Sequence, residues 1–260
     1  MIDFDFVKPA TVADAVKALA ADGAQALSGG QTLTPTMKQR LATPSVLVSL
    51  TGIAALRGVS VAGGVVTVGA ATPHAVVARE ASAYPALAAL AGGIGDPAVR
   101  NRGTIGGSLA NNDPAACYPA ALLASGGTVV TNLRSIHADD FFQGMFTTAL
   151  DEAEIITAVS FPIPEKAAYV KFNQPASRFA LTGVFVAKYP NGVRVAVTGA
   201  SNGGVFRWSA AEAALSANFV AGALAGLTVS ADNLIADLHG TAAYRANLIK
   251  VLTGRAVTAA

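Results

Sequence analysis

The residues best suited to chemistry in this sequence are two clusters of glycine and hydroxyl side chains. The first reads Ser28-Gly29-Gly30-Gln31-Thr32-Leu33. The second reads Arg100-Asn101-Arg102-Gly103-Thr104-Ile105-Gly106-Gly107-Ser108. Glycine reaches positive φ and lets a ligand approach the backbone closely. Successive backbone N–H groups in such a turn form a concave nest that suits a phosphate. Thr32, Thr104 and Ser108 add hydroxyl donors. Either segment alone could be a tight turn. Two in one chain could hold the two phosphates of a dinucleotide from opposite sides.

Other chemistries find little support. Neither segment has the G-x-G-x-x-G spacing of a Rossmann turn. Gly93-Ile94-Gly95 comes close, but Asp96-Pro97 follows and puts a carboxylate where a phosphate would lie. The Gly-Lys-Ser/Thr ending of a P-loop is absent. Gly106-Gly107-Ser108-Leu109-Ala110 is not a G-x-S-x-G nucleophile elbow. His74, His137 and His239 lack metal-type spacing and read as ordinary core or surface histidines. Cys117, beside Tyr118, reads as a small buried packing residue. Asp139-Asp140 and Asp151-Glu152 read as solvated loop acids. The sequence therefore offers binding segments, no catalytic constellation and no metal site, so a bound cofactor would carry any chemistry.

The elements that must position the two segments are legible from periodicity. Residues 11–22 form a helical pattern, with Thr11 as cap and Gly23 as stop. A short strand at 26–27 runs into the first segment. A helix is expected at 34–40 with Pro35 at its first position, then a strand at 46–50. Residues 59–61 and 65–68 form a hairpin turned by Gly63-Gly64. Helices are expected at 74–80, 84–91 and 119–123, and strands at 128–131 and 155–159. Between them, Ile94-Gly95-Asp96-Pro97 and Asn111-Asn112-Asp113-Pro114 read as turns, and 100–108 as a loop. Pro162-Ile163-Pro164 breaks regular structure. Beyond it, antiparallel strands at 169–172, 183–187, 193–198 and 205–208 precede helical segments at 210–215, 218–225 and 244–252. Strands followed by helices indicate an α+β arrangement.

Composition narrows the class. Hydrophobic residues make up 52% of the 260 residues and charged residues 13%, with a mean hydropathy of +0.48. So little charge on a soluble chain suggests surface hidden in a complex. A net charge of +2 gives no nucleic-acid footprint. The single cysteine excludes an internal disulfide and a four-thiolate iron–sulfur cluster. The apolar run at 81–94 contains Pro85 and Gly92-Gly93 and is too short to span a bilayer. The N-terminus has no basic region leading into an apolar one. The expectation is a cytoplasmic protein, with peripheral attachment at the inner face of the membrane as a variant.

The two glycine segments, together with the Asn111-Asn112-Asp113-Pro114-Ala115-Ala116 that follows, resemble the FAD-binding medium subunits of the molybdenum hydroxylases. That family includes aerobic carbon monoxide dehydrogenase and the split bacterial xanthine and aldehyde dehydrogenases. The resemblance runs from the first helix to Tyr244-Arg245-Ala246-Asn247-Leu248. It implies an FAD-binding fold of the vanillyl-alcohol oxidase type, with lobes at 1–57 and 58–163, and a C-terminal α+β domain at 164–260. By position it implies a first pyrophosphate grip from Ser28, Gly29, Gly30, Gln31, Thr32 and Leu33, and a second from Thr104, Gly106, Gly107 and Ser108. Ile94 falls against the isoalloxazine, and Ile156 and Lys171 at the flavin ring and its edge. Where many relatives carry an Asp that bonds the cofactor, this chain has Cys117, leaving Asn111 or Asp113 to supply that bond. Relatives often carry an Asp near Thr182. The branch of the family with a [4Fe–4S] cluster needs further cysteines and is excluded.

The resemblance implies an electron-transfer flavoprotein subunit. Substrate would be hydroxylated at a molybdenum cofactor on a large subunit. Electrons would pass through [2Fe–2S] clusters of a small subunit to FAD, and on to quinone, NAD or dioxygen, in a dimer of heterotrimers. The alternatives are a self-sufficient flavin oxidase and a non-enzymatic nucleotide-binding module.

Overall fold

A short parallel sheet begins the fold. The computed structural model describes residues 1–260. Strand β1 (Asp5–Val7) is followed by α1 (Val12–Leu19), β2 (Ala24–Leu27), α2 (Leu33–Lys38) and β3 (Val46–Ser49). β3 lies in the middle, parallel to both neighbours, with Val48 opposite Val7 and Ala26. Parallel neighbours need a crossover; α2 supplies it between β2 and β3, while α1 links the two outer strands. The Asp14 N–H donates to Thr11 Oγ1 at 3.1 Å, which sets the start of α1. Ala15 of α1 packs with Val48, Ile53 and Leu56 in a small core.

The next sheet is antiparallel. The hairpin β4 (Val59–Ala62) and β5 (Val65–Gly69) turns through Gly63 and Gly64, both at positive φ, as the sequence led one to expect. Five helices follow: α3 (His74–Glu80), α4 (Pro85–Gly92), α5 (Pro97–Arg102), α6 (Ile105–Asn111) and α7 (Tyr118–Ser125). Then come β6 (Thr128–Thr131), β7 (Ser135–His137), α8 (Ala138–Phe141), the small hairpin β8 (Phe142–Gly144) and β9 (Thr147–Thr148), and β10 (Ile156–Pro162). The sheet order is β4-β5-β10-β6-β7.

The expected loop at 100–108 is instead two helix ends meeting at Gly103. Asp96 accepts the Val99 N–H at 2.9 Å and Pro97 occupies the first helical position, so α5 begins directly after the turn. Thr104 accepts the Gly107 N–H at 3.3 Å and starts α6, which ends at Asn112 in the left-handed region (φ 42°). The low helix propensity of Gly106 and Gly107 concealed α6, while the caps start both helices.

The last sheet runs β11 (Lys166–Asn173), β12 (Ala180–Tyr189), β13 (Gly192–Thr198) and β14 (Phe206–Arg207), all antiparallel, followed by α9 (Ser209–Ala217) and α10 (Ala242–Ala259). The segment at 218–225, expected as a helix, makes only a 3-10 turn at Ala221–Leu224. No helix of the chain is long and apolar enough to cross a membrane.

Helix α7 is buried along its whole length. It packs on β12 and β13 on one side and reaches α4, α6 and β10 on the other. A helix apolar all round requires such a position. Phe185, Ala187 and Ala196 join the core around α7. Val184, Val186, Val195 and Val197 face a second core with Leu248, Ile249 and Leu252 of α10. β12 is thus covered on both faces, which explains its unbroken apolar run.

Thr198, fully buried at the end of β13, ties this sheet to the segment preceding α7. Its Oγ1 lies 2.8 Å from the Pro114 carbonyl and 2.7 Å from that of Ala116, and the Gly199 N–H donates to Pro114 at 2.6 Å. One hydroxyl proton serves one acceptor at a time. Thr198→Val, which keeps the shape, is expected to destabilise the chain by about 1–3 kcal/mol in denaturant titration, because it strands a buried carbonyl.

Candidate functional site

Gly29 holds the two glycine segments in contact. A Cβ at Gly29 would lie 2.2 Å from the Arg102 carbonyl oxygen and 2.6 Å from the Gly103 Cα. No side chain fits there. Beside this contact the hydroxyls of Ser28 and Thr104, 76 residues apart, hydrogen-bond at 2.8 Å. The residue after a parallel strand and the cap of α6 are thereby locked together.

The two segments offer a ligand different things. In the first, the backbone N–H groups of Gly29, Gly30, Gln31, Thr32 and Leu33 make no hydrogen bond within the chain. Gly30 has φ +69°. This is a run of free donors at the start of α2, as a nest requires. In the second, the N–H groups of Ile105 to Ser108 are already engaged. Ile105 donates to Thr72 at 3.3 Å, Gly106 to Ala70 at 2.9 Å, Gly107 to Thr104 Oγ1 at 3.3 Å and Ser108 to the Thr104 carbonyl at 3.0 Å. The second segment therefore contributes a close-approach surface rather than a nest. Gly106 is buried against Ala70, where a Cβ would sit 2.8 Å from a carbonyl oxygen. Gly107 is exposed, and a Cβ there would find Thr104 Oγ1 at 3.1 Å and Ser28 Cβ at 3.9 Å.

A cleft of about 570 Å³ opens along this junction. Every residue that the sequence and the resemblance assign to cofactor binding lines it: Ser28 to Leu33, Ile94, Thr104, Gly106, Gly107, Ser108, Asn111, Asp113, Cys117, Ile156 and Lys171. Its volume is that of a small-molecule or cofactor site. Thr182 does not line it; it is fully buried on β12.

Around the far end of the cleft the polar groups are mutually anchored. Lys171 Nζ donates to the Gly93 carbonyl at 2.8 Å and the Arg178 carbonyl at 2.9 Å, and stands 3.6 Å from Cys117 Sγ. Arg100 donates to the carbonyls of Ile94 and Gly95 at 3.0 and 2.9 Å and so fixes the turn that carries Ile94. Asp113 Oδ1 accepts the Ala115 N–H at 2.8 Å, whereas the Asn111 side chain has no partner in the chain.

Four lining residues were not legible as such. Glu154, two residues beyond the Asp151-Glu152 pair that reads as solvated, has a fully buried side chain. It accepts from Arg134 Nη2 at 3.0 Å, Thr131 Oγ1 at 2.6 Å and the Asp151 N–H at 2.8 Å. The Arg134 hydrogen bond, with help from the others and against the cost of burial, lowers its pKa to about 2. Arg178, a non-glycine residue at φ +62°, and the exposed Phe179 come from the β11–β12 connection. His74 also lines the cleft, buried under Gly103, and its N–H donates to the Gly103 carbonyl at 2.9 Å. Asp139, likewise read as solvated, accepts from Arg194 at 2.6 Å and stands 3.5 Å from Arg207. Cys117 is buried, as expected.

The donor set of free N–H groups, hydroxyls and an ammonium, with Ile94, Val99, Leu150, Ile155 and Ile156 as apolar wall, suits an elongated ligand with an anionic segment and an aromatic end.

A family model described as the FAD binding domain in molybdopterin dehydrogenase matches residues 2–164. The chain is 36% identical to the nicotine 6-hydroxylase medium subunit of Paenarthrobacter nicotinovorans, over 98% of this chain and 96% of that one. It is 32% identical to the carbon monoxide dehydrogenase medium chain of Afipia carboxidovorans, over 98% and 95%. Reconstituted CO dehydrogenase from Oligotropha carboxidovorans superposes with a TM-score of 0.89 at 30% identity, covering 99% of this chain and 98% of that one.

The geometry separates two glycine substitutions. Gly29→Ala is expected to lower the thermal transition of the ligand-free protein, since a Cβ meets backbone of the other segment. Gly107→Val is expected to leave that transition nearly unchanged and to abolish retention of a dinucleotide, since its methyls enter the cleft. Scanning fluorimetry and cofactor extraction check the pair; full ligand occupancy in Gly107→Val would contradict the assignment.

Proposed function

This chain belongs to the FAD-binding medium subunits of the molybdenum hydroxylases, and from that membership we propose that its cleft holds FAD as an electron relay between partner subunits and an external acceptor. The chain is an oxidoreductase subunit, and the substrate site lies on another subunit. When bound, the flavin supplies the exchange of electrons between one-electron centres and a two-electron acceptor.

The observation that carries the reading is the run of free N–H groups from Gly29 to Leu33, which lines the same cleft as the exposed Gly107. A pyrophosphate fits between them, with Thr32 and Ser108 hydroxyls as further donors. Ile94 and Ile156 supply apolar contact for the isoalloxazine, and Lys171 stands at its edge. Asn111, whose side chain is free, takes the hydrogen bond for which relatives use an Asp at the position of Cys117. The lobes at 1–57 and 58–163 hold the dinucleotide between them, and the unit at 164–260 closes the ring end through Lys171. What supports that division is that each stretch carries its own sheet.

The partners we propose are a large subunit with the molybdenum cofactor and a small subunit with [2Fe–2S] clusters, assembled as a dimer of heterotrimers in the cytoplasm. Low charge and exposed apolar side chains such as Phe6, Leu133 and Phe146 favour burial against other chains. The acceptor is a quinone, NAD or dioxygen.

The test is native mass and visible absorbance of the protein purified from its own cell. One large complex with flavin and iron–sulfur absorbance and bound molybdenum is expected. A lone yellow chain reduced directly by small substrates would point instead to a self-sufficient oxidase. A colourless chain that takes up no FAD would overturn the flavin reading.

A further inference from the structure

His74 is buried at 5% exposure, yet its side chain makes no hydrogen bond. Nδ1 is sealed from solvent without a partner. Its neighbour Tyr118, 5.3 Å away between ring centroids and tilted by 52°, likewise has a sealed hydroxyl with no partner. Buried polar atoms are nearly always paired, so a pair of orphans beside a cleft calls for an explanation.

Packing alone does not supply one. A phenylalanine would fill the space and carry no desolvated nitrogen. The ring is instead held with care. The His74 N–H is bonded to the Gly103 carbonyl, Pro73 bridges to Thr104, and residue 103 is glycine where a Cβ would stand 2.6 Å from His74 Nε2. Nε2 thus lies directly under the second glycine segment, on a residue that lines the cleft. A sealed N–H is costlier than a sealed lone pair in practice, so the proton belongs on Nε2.

We propose that His74 is a contact residue for the bound dinucleotide, its Nε2–H donating from the cleft floor to an acceptor oxygen of the ligand. This rests on the reading of the cleft as the FAD site. Two properties support the role. Burial first, and the positive charge of Arg100 second, lower the His74 pKa to about 4, so the imidazole stays neutral and keeps one fixed donor. The Arg100 charge also favours an anionic or carbonyl oxygen at that place.

The test compares His74→Phe and His74→Leu, which remove the donor, with His74→Gln, which restores one, in the full chain. FAD affinity is measured by titrating the deflavinated protein, with the bound-flavin absorption spectrum and the thermal transition of the FAD-free protein as further readouts. About a tenfold or greater loss of affinity and a shifted spectrum are expected for Phe and Leu, with partial recovery in Gln and an unlowered FAD-free transition. Wild-type affinity and spectrum in a donor-free variant overturn the proposal. So does a loss of affinity that follows a lowered transition in all three variants alike, which marks a structural role. If the wild-type chain takes up no FAD, the cleft reading falls, and this proposal with it.

Discussion

The contact between Gly29 and the Arg102–Gly103 backbone is the constraint on which the rest depends. It brings the end of a parallel strand against the junction of two short helices, and it leaves no space for a side chain. The Ser28–Thr104 hydrogen bond fixes the register of that contact. Thr104 also caps α6, so one hydroxyl both starts a helix and joins the two glycine segments. The cleft runs along the line where the two glycine segments meet.

The two glycine segments then divide the labour. In the first, the free N–H groups have no partner in the chain and are open to water or to a ligand. In the second, the N–H groups bond to Ala70, Thr72 and Thr104, which makes that segment a rigid wall. Such a wall lets Gly107 stand bare toward the cleft at little cost in order. The third sheet reaches the same site through Thr198 and Gly199, which hold the Pro114–Ala116 stretch, and through Lys171, which holds the Gly93 and Arg178 carbonyls. The helix between the sheets, α7, turns these separate ties into one packed body.

Much of this was legible in the sequence. The β-branched runs marked β3, β6 and β13, and the Gly63-Gly64 hairpin followed from turn chemistry. β1 was missed because Asp3-Phe4-Asp5-Phe6 is acidic and its strand is exposed throughout. Helix α6 was hidden by its glycines and α5 by its shortness, although Asp96-Pro97 and Thr104 carried their start signals. Every lining residue taken from the glycine segments and the family resemblance fell in the cleft. Glu154, Arg178 and His74 did not announce themselves, because their place depends on distant partners: Arg134, Lys171 and Gly103. A histidine alone in sequence looks ordinary; burial without a partner becomes visible only in three dimensions.

Amide hydrogen exchange, read residue by residue in the deflavinated protein and again with FAD at saturation, tests the central claim most directly. The account predicts fast exchange at Gly29, Gly30, Gln31 and Thr32 without FAD and strong slowing with it, while Ile105 and Gly106 are protected in both states. Unchanged fast exchange at the first segment under full FAD occupancy would contradict the account, because the dinucleotide would then be held elsewhere.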